Sequence, residues 1–400
     1  MKFHLNKPSV RPTRLIFTLC VLCASVVNIF AQEWKTVADG VEYAQVRREF
    51  SGKPVNINLL RLDLKKVRLD VHHALDRAIG TEKTSSIATR HGAFAAINAG
   101  FFRLDSSAWA GDSAGVLMID GQLWSESQSN RSSMIIKNEK ERTEIQFSHV
   151  VTVSHIGYFK DVVDQLSGVN RERKPGEIVL YTPTFGKTTL TPQDGTELIV
   201  SECPRTACRR VVVQEMKGNS AIPSDGFVIS ISANATGKQK FLISYLKEAA
   251  DPSAQLIMLS TELMFIESGN ISKLPAVRED ITNGVPQLVK DGKIDITWEQ
   301  EKASKSFVET RHPRTAVAKL KDGKFLMLTV DGRTEQSAGL DLYDLAKYML
   351  ELGAIDAMNL DGGGSTTMFL DGKVVNRPSD KDGERKVGDA ILVTLRKKKN

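Results

Sequence analysis

Short alternating apolar runs joined by Asp-Gly dipeptides constrain this chain more than any other feature. Asp-Gly recurs at 120, 225, 291, 322, 331 and 371, and that dipeptide favours the tight turns joining antiparallel strands. Gly115 to Trp124 and Lys319 to Val330 each read as a hairpin closed by such a turn. Val55, Ile57 and Leu59 alternate with polar or opposite-facing residues, as do Val67, Leu69 and Val71, so Gln45 to Leu75 reads as paired strands. Helical patterns are fewer. Ser85–His91 and Gly237–Ala250 suggest short helices, and Ser337–Leu352 is the strongest. There Leu342, Leu345, Ala346, Met349 and Leu350 line one face, with Ser337 placed as N-cap and Gly353 just past the end. The expected class is α+β, mainly antiparallel β-sheet with a few packed helices.

The N-terminus carries Lys2, Lys7, Arg11 and Arg14 and no acid, followed by the apolar run Leu15 to Ala31. That order predicts a secretory signal over 1–31, and a periplasmic or secreted protein. Residues 32–84 are expected to form a β-rich segment packed on a main domain of 85–400. No segment after the signal is long and apolar enough to span a bilayer. Loss of the four basic residues takes the formal charge from +6 to +2 (6 − 4), so the basic pI implies no nucleic-acid partner. Cys20 and Cys23 leave with the signal, and Cys203 and Cys208 remain to close a small structural disulfide.

One stretch, Ala357 to Thr367 (AMNLDGGGSTT), stands out, and taken alone it reads equally as a site for a polar ligand or as a glycine-rich β-turn without one. Gly362, Gly363 and Gly364 remove every Cβ over one turn, so a ligand or another segment can approach the backbone closely. Asp361 sits before them and Ser365 and Thr366 after them. The segment following the long helix reads as a strand that delivers Asp361 to a sheet edge.

Four other stretches carry residues suited to chemistry. Asn98 lies in AAINAGFF, between an apolar strand and a Gly-Phe-Phe turn, where its amide either pairs with backbone or faces a ligand. Arg314 enters an apolar strand after His312-Pro313, and an arginine seldom enters a core unless something anionic awaits it. Asp331 and Arg333 lie two apart at a strand end and can share a face. Asn376 to Ser379, with Gly383-Glu384-Arg385, forms a polar loop before the last strand.

Several reaction classes fail on spacing. No Lys-Ser/Thr follows the glycines, so this is not a P-loop. The chain has no GxSxG elbow, no HExxH and no CxxC after the signal, and the Asp361 loop does not match an EF-hand. Histidines 72, 73, 91, 149 and 155 read as isolated. Neither a metal nor a cofactor is expected.

These blocks together resemble the phosphodiester glycosidase family, over about Ala93 to Val393. INAGFF at 97–102, VLYTPTFG at 179–186, GVPQLVKDG at 284–292 and HPRTAVA at 312–318 carry the likeness. It continues through VDGR at 330–333, SAGLDLYDLA at 337–346, NLDGGGST at 359–366 and NRPSD with GER at 376–385. Departures fall mainly in 137–174 and 203–237. The resemblance implies a hydrolase that cuts a sugar-1-phosphodiester between anomeric carbon and oxygen, with a phosphodiester-linked glycan as substrate. It implies Asp361 and Asp331 as the carboxylate pair, of the kind whose separation (about 5–5.5 Å or about 6.5–9.5 Å) sets retention or inversion. Arg314, Arg333 and Arg385 would meet the phosphate. Asn98, Ser365 and Thr366 would hold sugar hydroxyls or an N-acetyl group, glycines 362–364 would let the sugar rest on the backbone, and Glu384 belongs to the substrate-facing loop. The rival readings are a phosphodiesterase cutting P–O and a non-catalytic binding protein associated with exopolysaccharide.

Overall fold

The computed structural model describes Met1 and residues 33–397, apart from 159–160, 203–210, 235–256, 268–269 and 274–279. The expected signal, the expected 237–250 helix and both Cys203 and Cys208 lie outside the described residues. Antiparallel sheets dominate, with three short α-helices among the described residues, Thr84–Arg90, Lys305–Glu309 and Leu342–Glu351.

Two sheets frame the site. The larger has eight strands, and its centre runs Val41–Phe50, Lys53–Leu62, Phe325–Val330, Arg314–Leu320, Ala354–Asn359, Gln287–Lys290. The second has five strands in the order Lys373–Val374, Met368–Leu370, Ala95–Asn98, Asp389–Leu395, Val67–His73. Side chains of the larger sheet alternate between two cores, as period-2 geometry requires. Val317, Phe325 and Met327 face the five-stranded sheet, meeting Leu69, Ile97, Met368 and Ile391. Ala316, Ala318, Leu326 and Leu328 face the other way, onto Leu342, Leu345, Ala346 and Met349 of the long helix. Each large apolar side chain buried this way contributes about 1.5–3 kcal/mol, so the central strands are held from both faces. A further eight-stranded sheet, containing Ser132–Asn138 and Asp280–Asn283, and a five-stranded one, containing Ile178–Tyr181, extend the molecule.

The expected hairpins form. Asp120 and Gly121 both take positive φ (51° and 75°) between Leu117–Ile119 and Gln122–Ser125. Arg314–Leu320 and Phe325–Val330 pair across the turn holding Asp322-Gly323. Three expectations are corrected. The Val67–His73 strand pairs with the C-terminal Asp389–Leu395, not with its sequence neighbour, because its apolar face completes the second sheet. The long helix starts later than Ser337: Asp341 is its N-cap, accepting from the Asp344 N–H at 2.8 Å. Ser337 instead donates to the Asp331 carbonyl (2.6 Å) and accepts from the Asn56 N–H (3.0 Å). Finally, Ala354–Asn359 lies inside the large sheet, so Asp361 emerges beyond a strand end and not at a sheet edge.

Candidate active site

Asp361 sits where the chain passes from one sheet to the other. Leu360 N–H donates to the Thr315 carbonyl (2.8 Å) of the large sheet, and Asp361 N–H to the Ala99 carbonyl (3.0 Å), next to the second. The glycines are needed because three segments close on the turn. A Cβ on Gly362 would lie 2.8 Å from the Pro313 carbonyl oxygen, and one on Gly363 (φ 60°) 2.9 Å from Arg333 Nη2. A Cβ on Gly364 would strike Arg385 Nη2 and Asp380 Oδ1. The Gly363 N–H also donates to Pro313 O at 2.9 Å, which sets the His312-Pro313-Arg314 segment directly against the turn.

Asn98 clamps this junction from below. Its Nδ2 donates to the Asp361 carbonyl at 2.6 Å, while its Oδ1 accepts from Thr315 Oγ1 (2.8 Å) and Thr367 N–H (3.1 Å). The residue is fully buried, and its amide faces protein, not ligand. Asp331 ends the Phe325–Val330 strand and accepts from Arg377 N–H at 3.0 Å and Asn376 Nδ2 at 3.5 Å. Asn376 also donates to the Thr366 carbonyl (3.0 Å) and accepts from Met368 N–H (2.7 Å), so it ties Asp331 to the chain just after the glycines.

Burial pushes the Asp361 carboxyl up to about 6, opposed by the Ser365 hydroxyl, the Gly362 N–H and the charges of Arg385 and Arg131. Burial likewise raises Asp331, opposed by its bonds from Arg377 and Asn376. A third carboxylate belongs to the neighbourhood. Asp389 is 2% exposed and accepts from Thr282 Oγ1 at 2.8 Å. Burial pushes it up to about 7, and the Asp361 charge adds to that shift. The Thr366 and Thr367 hydroxyls, just after the glycines, are buried without a protein partner.

The other expected residues divide. Arg333 (φ 63°) reaches over Gly363, bonding Ser379 Oγ at 3.2 Å and lying 3.8 Å from Asp380, and it stays partly exposed. Arg385 stands over Gly364 in a paired contact with Asp380, at 2.7 and 3.0 Å. Arg314 is a correction. It is 1% exposed, and its guanidinium donates to the carbonyls of Leu340 (2.9 Å), Phe307 (2.9 Å) and Thr310 (2.8 Å) and stacks on the Phe307 ring. Carbonyl dipoles at a helix end, not an anion, satisfy this buried cation. Glu384 is another: its two oxygens accept from the Ser85 N–H and hydroxyl at 2.7 and 2.6 Å, capping the first helix.

Two site residues escaped the sequence reading. Asp389 follows Gly388 at the head of an apolar strand, so the rule applied to Arg314 would have found it. Arg131 lies in a polar loop with no such signal. The histidines are not all isolated either: the His72 and His91 rings stack at 3.7 Å, and with Asp76 they bring ligand atoms within 4.8 Å of one another. That is the group among the described residues suited to a metal ion, although the Arg90 guanidinium already contacts both Asp76 and His91.

Comparison with known proteins places the chain among relatives that it matches over part of their length. A family model described as phosphodiester glycosidase matches residues 210–394, a span that contains Arg314, Asp331, Asp361, Arg385 and Asp389. Bovine N-acetylglucosamine-1-phosphodiester alpha-N-acetylglucosaminidase is 37% identical over 109 residues, 25% of this chain and 20% of the bovine protein. The mouse enzyme of the same name is 30% identical over 181 residues, 43% and 32% of the two chains. An uncharacterized SPbeta prophage-derived protein of Bacillus subtilis, YomE, is 37% identical over 111 residues, 27% and 16%. The matched segments therefore span a third or less of these relatives. Among solved structures, a hypothetical protein from Synechocystis shares the fold with a TM-score of 0.71 at 22% identity, covering 91% of this chain and 64% of that one. A putative exported protein from Burkholderia pseudomallei does so with 0.67 at 23%, covering 85% and 74%.

Proposed function

Taking the chain as a distant member of the phosphodiester glycosidase family, we propose that it is an exported hydrolase that cleaves the C–O bond of a sugar-1-phosphodiester. The observation that carries this reading is the setting of Asp361: a carboxylate held between two sheets, beside a backbone stripped of Cβ atoms and under arginines. In this reading the sugar rests on Gly362–Gly364 with its anomeric carbon toward Asp361. Water adds its oxygen to that carbon, the bond to the phosphate oxygen breaks with its electron pair, and a proton is released. The phosphate passes from one negative charge to two, so cations placed there stabilise the transition state more than the ground state. Asp361 and Asp331 meet the positive charge that develops on the sugar. Arg333 is the expected arginine best placed for the phosphate, since Arg385 is paired with Asp380 and Arg314 is enclosed by carbonyls.

Incubation with a GlcNAc-1-phosphodiester in ¹⁸O-water tests the reading. Label in the released sugar supports it; label in the phosphate makes the protein a phosphodiesterase, and absence of turnover leaves a binding protein. Asp361→Asn should lower kcat by about 10²–10⁴ or more while thermal unfolding stays cooperative. Near-normal turnover in that variant removes Asp361 from the mechanism.

A further inference from the structure

The site as read from the sequence leaves its phosphate end thinly supplied with free cations. Arg314 and Arg385 are already engaged, and Arg333 shares Ser379 and Asp380. Arg131 is a nearby, largely buried cation that forms no ion pair among the described residues. One Nη donates to the Ala114 carbonyl and the guanidinium stacks on Phe101, 5.5 Å from the ring centre. Its Nε is buried with no partner, and no carboxylate among the described residues lies within ion-pair distance. Glu301 is near enough to act on it electrostatically, yet that carboxylate already accepts from Ser132 N–H and Oγ, Gln287 N–H and Thr297 Oγ1. A largely desolvated guanidinium in this condition is costly unless an oxyanion completes it, and a phosphate offers two parallel N–H···O contacts.

Its place in the site follows from the backbone. Asp361 N–H donates to Ala99 O, Gly100 and Phe101 come next, and Arg131 stacks on Phe101. The same Arg131 lines a cleft of about 560 Å³. The other arginines of that cleft are compensated: Arg103 by Asp105 and Glu172, Arg171 by Glu126 and Glu177. Exposed Lys174 also lines it. So a carboxylate suited to an anomeric carbon and a cation suited to a phosphorus oxyanion lie close enough to act on each other electrostatically, and the cation also lines the cleft. In a sugar-1-phosphodiester the two atoms concerned are joined through a single oxygen.

We propose, resting on the glycosidase reading above, that Arg131 binds the phosphate of the scissile phosphodiester and that the cleft beyond it receives the aglycone. Arg131 then meets the second negative charge that appears as the C–O bond breaks. Arg333, over Gly363, sits on the sugar side of the same group.

Binding of inorganic phosphate to the full chain, measured by calorimetry, tests this alongside kcat/KM on a GlcNAc-1-phosphodiester. Arg131→Gln should weaken phosphate binding about 10- to 100-fold, the effect of losing charge-assisted hydrogen bonds, and should lower kcat/KM by at least as much. Arg131→Lys keeps the charge and the stem and decides the matter if the Gln variant does not fold; it should lose severalfold, since an ammonium cannot make the paired contact. Phosphate affinities within twofold of wild type in the folded variants overturn the proposal, as does a wild-type protein that binds no phosphate. A wild type that turns over substrate while its variants keep their phosphate affinity sinks the Arg131 site and leaves the glycosidase reading intact. A wild type that binds phosphate through Arg131 but releases no sugar supports the anion site and sinks the glycosidase reading.

Discussion

Replacing Asn98 by alanine separates two roles that the sequence left open for this residue. In the structure the amide makes three bonds inside the protein, to the Asp361 carbonyl, the Thr315 hydroxyl and the Thr367 N–H. Truncation strands the half-buried Asp361 carbonyl and the buried Thr367 N–H; the Thr315 hydroxyl can rotate. At about 1–3 kcal/mol for each buried group left without a partner, the loss is about 2–6 kcal/mol. Urea unfolding followed by tryptophan fluorescence measures it as a lowered midpoint at constant slope. Turnover should fall as well, because the clamp fixes the backbone of Asp361. Asn98→Asp keeps size and acceptors but sets a carboxylate oxygen against the Asp361 carbonyl, and it should cost at least as much as alanine. A stability change under about 1 kcal/mol combined with abolished activity would refute the reasoning, for it would mean that the amide meets substrate.

Gly364→Ala drives a methyl onto the Arg385–Asp380 pair. Both partners are partly exposed and can shift, so stability should change by less than about 1 kcal/mol, while displacement of the loop lowers kcat/KM by about 10-fold or more; unchanged kinetics would show that the pair does not shape the site. For pH, Asp389 has its folded pKa raised to about 7 against about 3.8 unfolded. The folded state therefore binds the extra proton between those values, and stability falls as pH rises through that window. Asp389→Asn should shrink the stability difference between pH 4.5 and pH 8 by about 2 kcal/mol or more; a variant with the wild-type pH dependence would show that Asp389 is ionised throughout.

Local signals in the sequence were reliable wherever the structure uses them locally. The Asp120-Gly121 and Asp322-Gly323 turns formed because positive φ and strand twist are decided within four residues. The apolar stripe of the long helix was legible for the same reason, although its start was misplaced because Ser337 had a better use beneath Asp331. Alternation in Val67, Leu69 and Val71 gave a strand and a face, but alternation does not name a partner, and the partner lies at the other end of the chain.

Arg314 shows how a sound rule reached a wrong occupant. A buried guanidinium does need acceptors, and here three carbonyls supply them: Phe307 within the Lys305–Glu309 helix, Thr310 just after it, and Leu340. The sequence reveals that such a demand exists but not which group answers it, since a backbone carbonyl is present at every residue. Arg131 is the reverse case: its loop carries no periodicity, and its meaning comes only from Phe101 and Asp361, distant in sequence. The place where they meet is itself informative. Leu360 is bonded to one sheet and Asp361 is bonded beside the other, so the carboxylate stands in a stretch of chain whose backbone both sheets fix. An antiparallel scaffold gains rigidity from its ladders, and a reactive group is most sharply positioned at a crossing that two ladders determine. Asp361 is placed by that crossing, and Asn98 is the side chain that holds it shut.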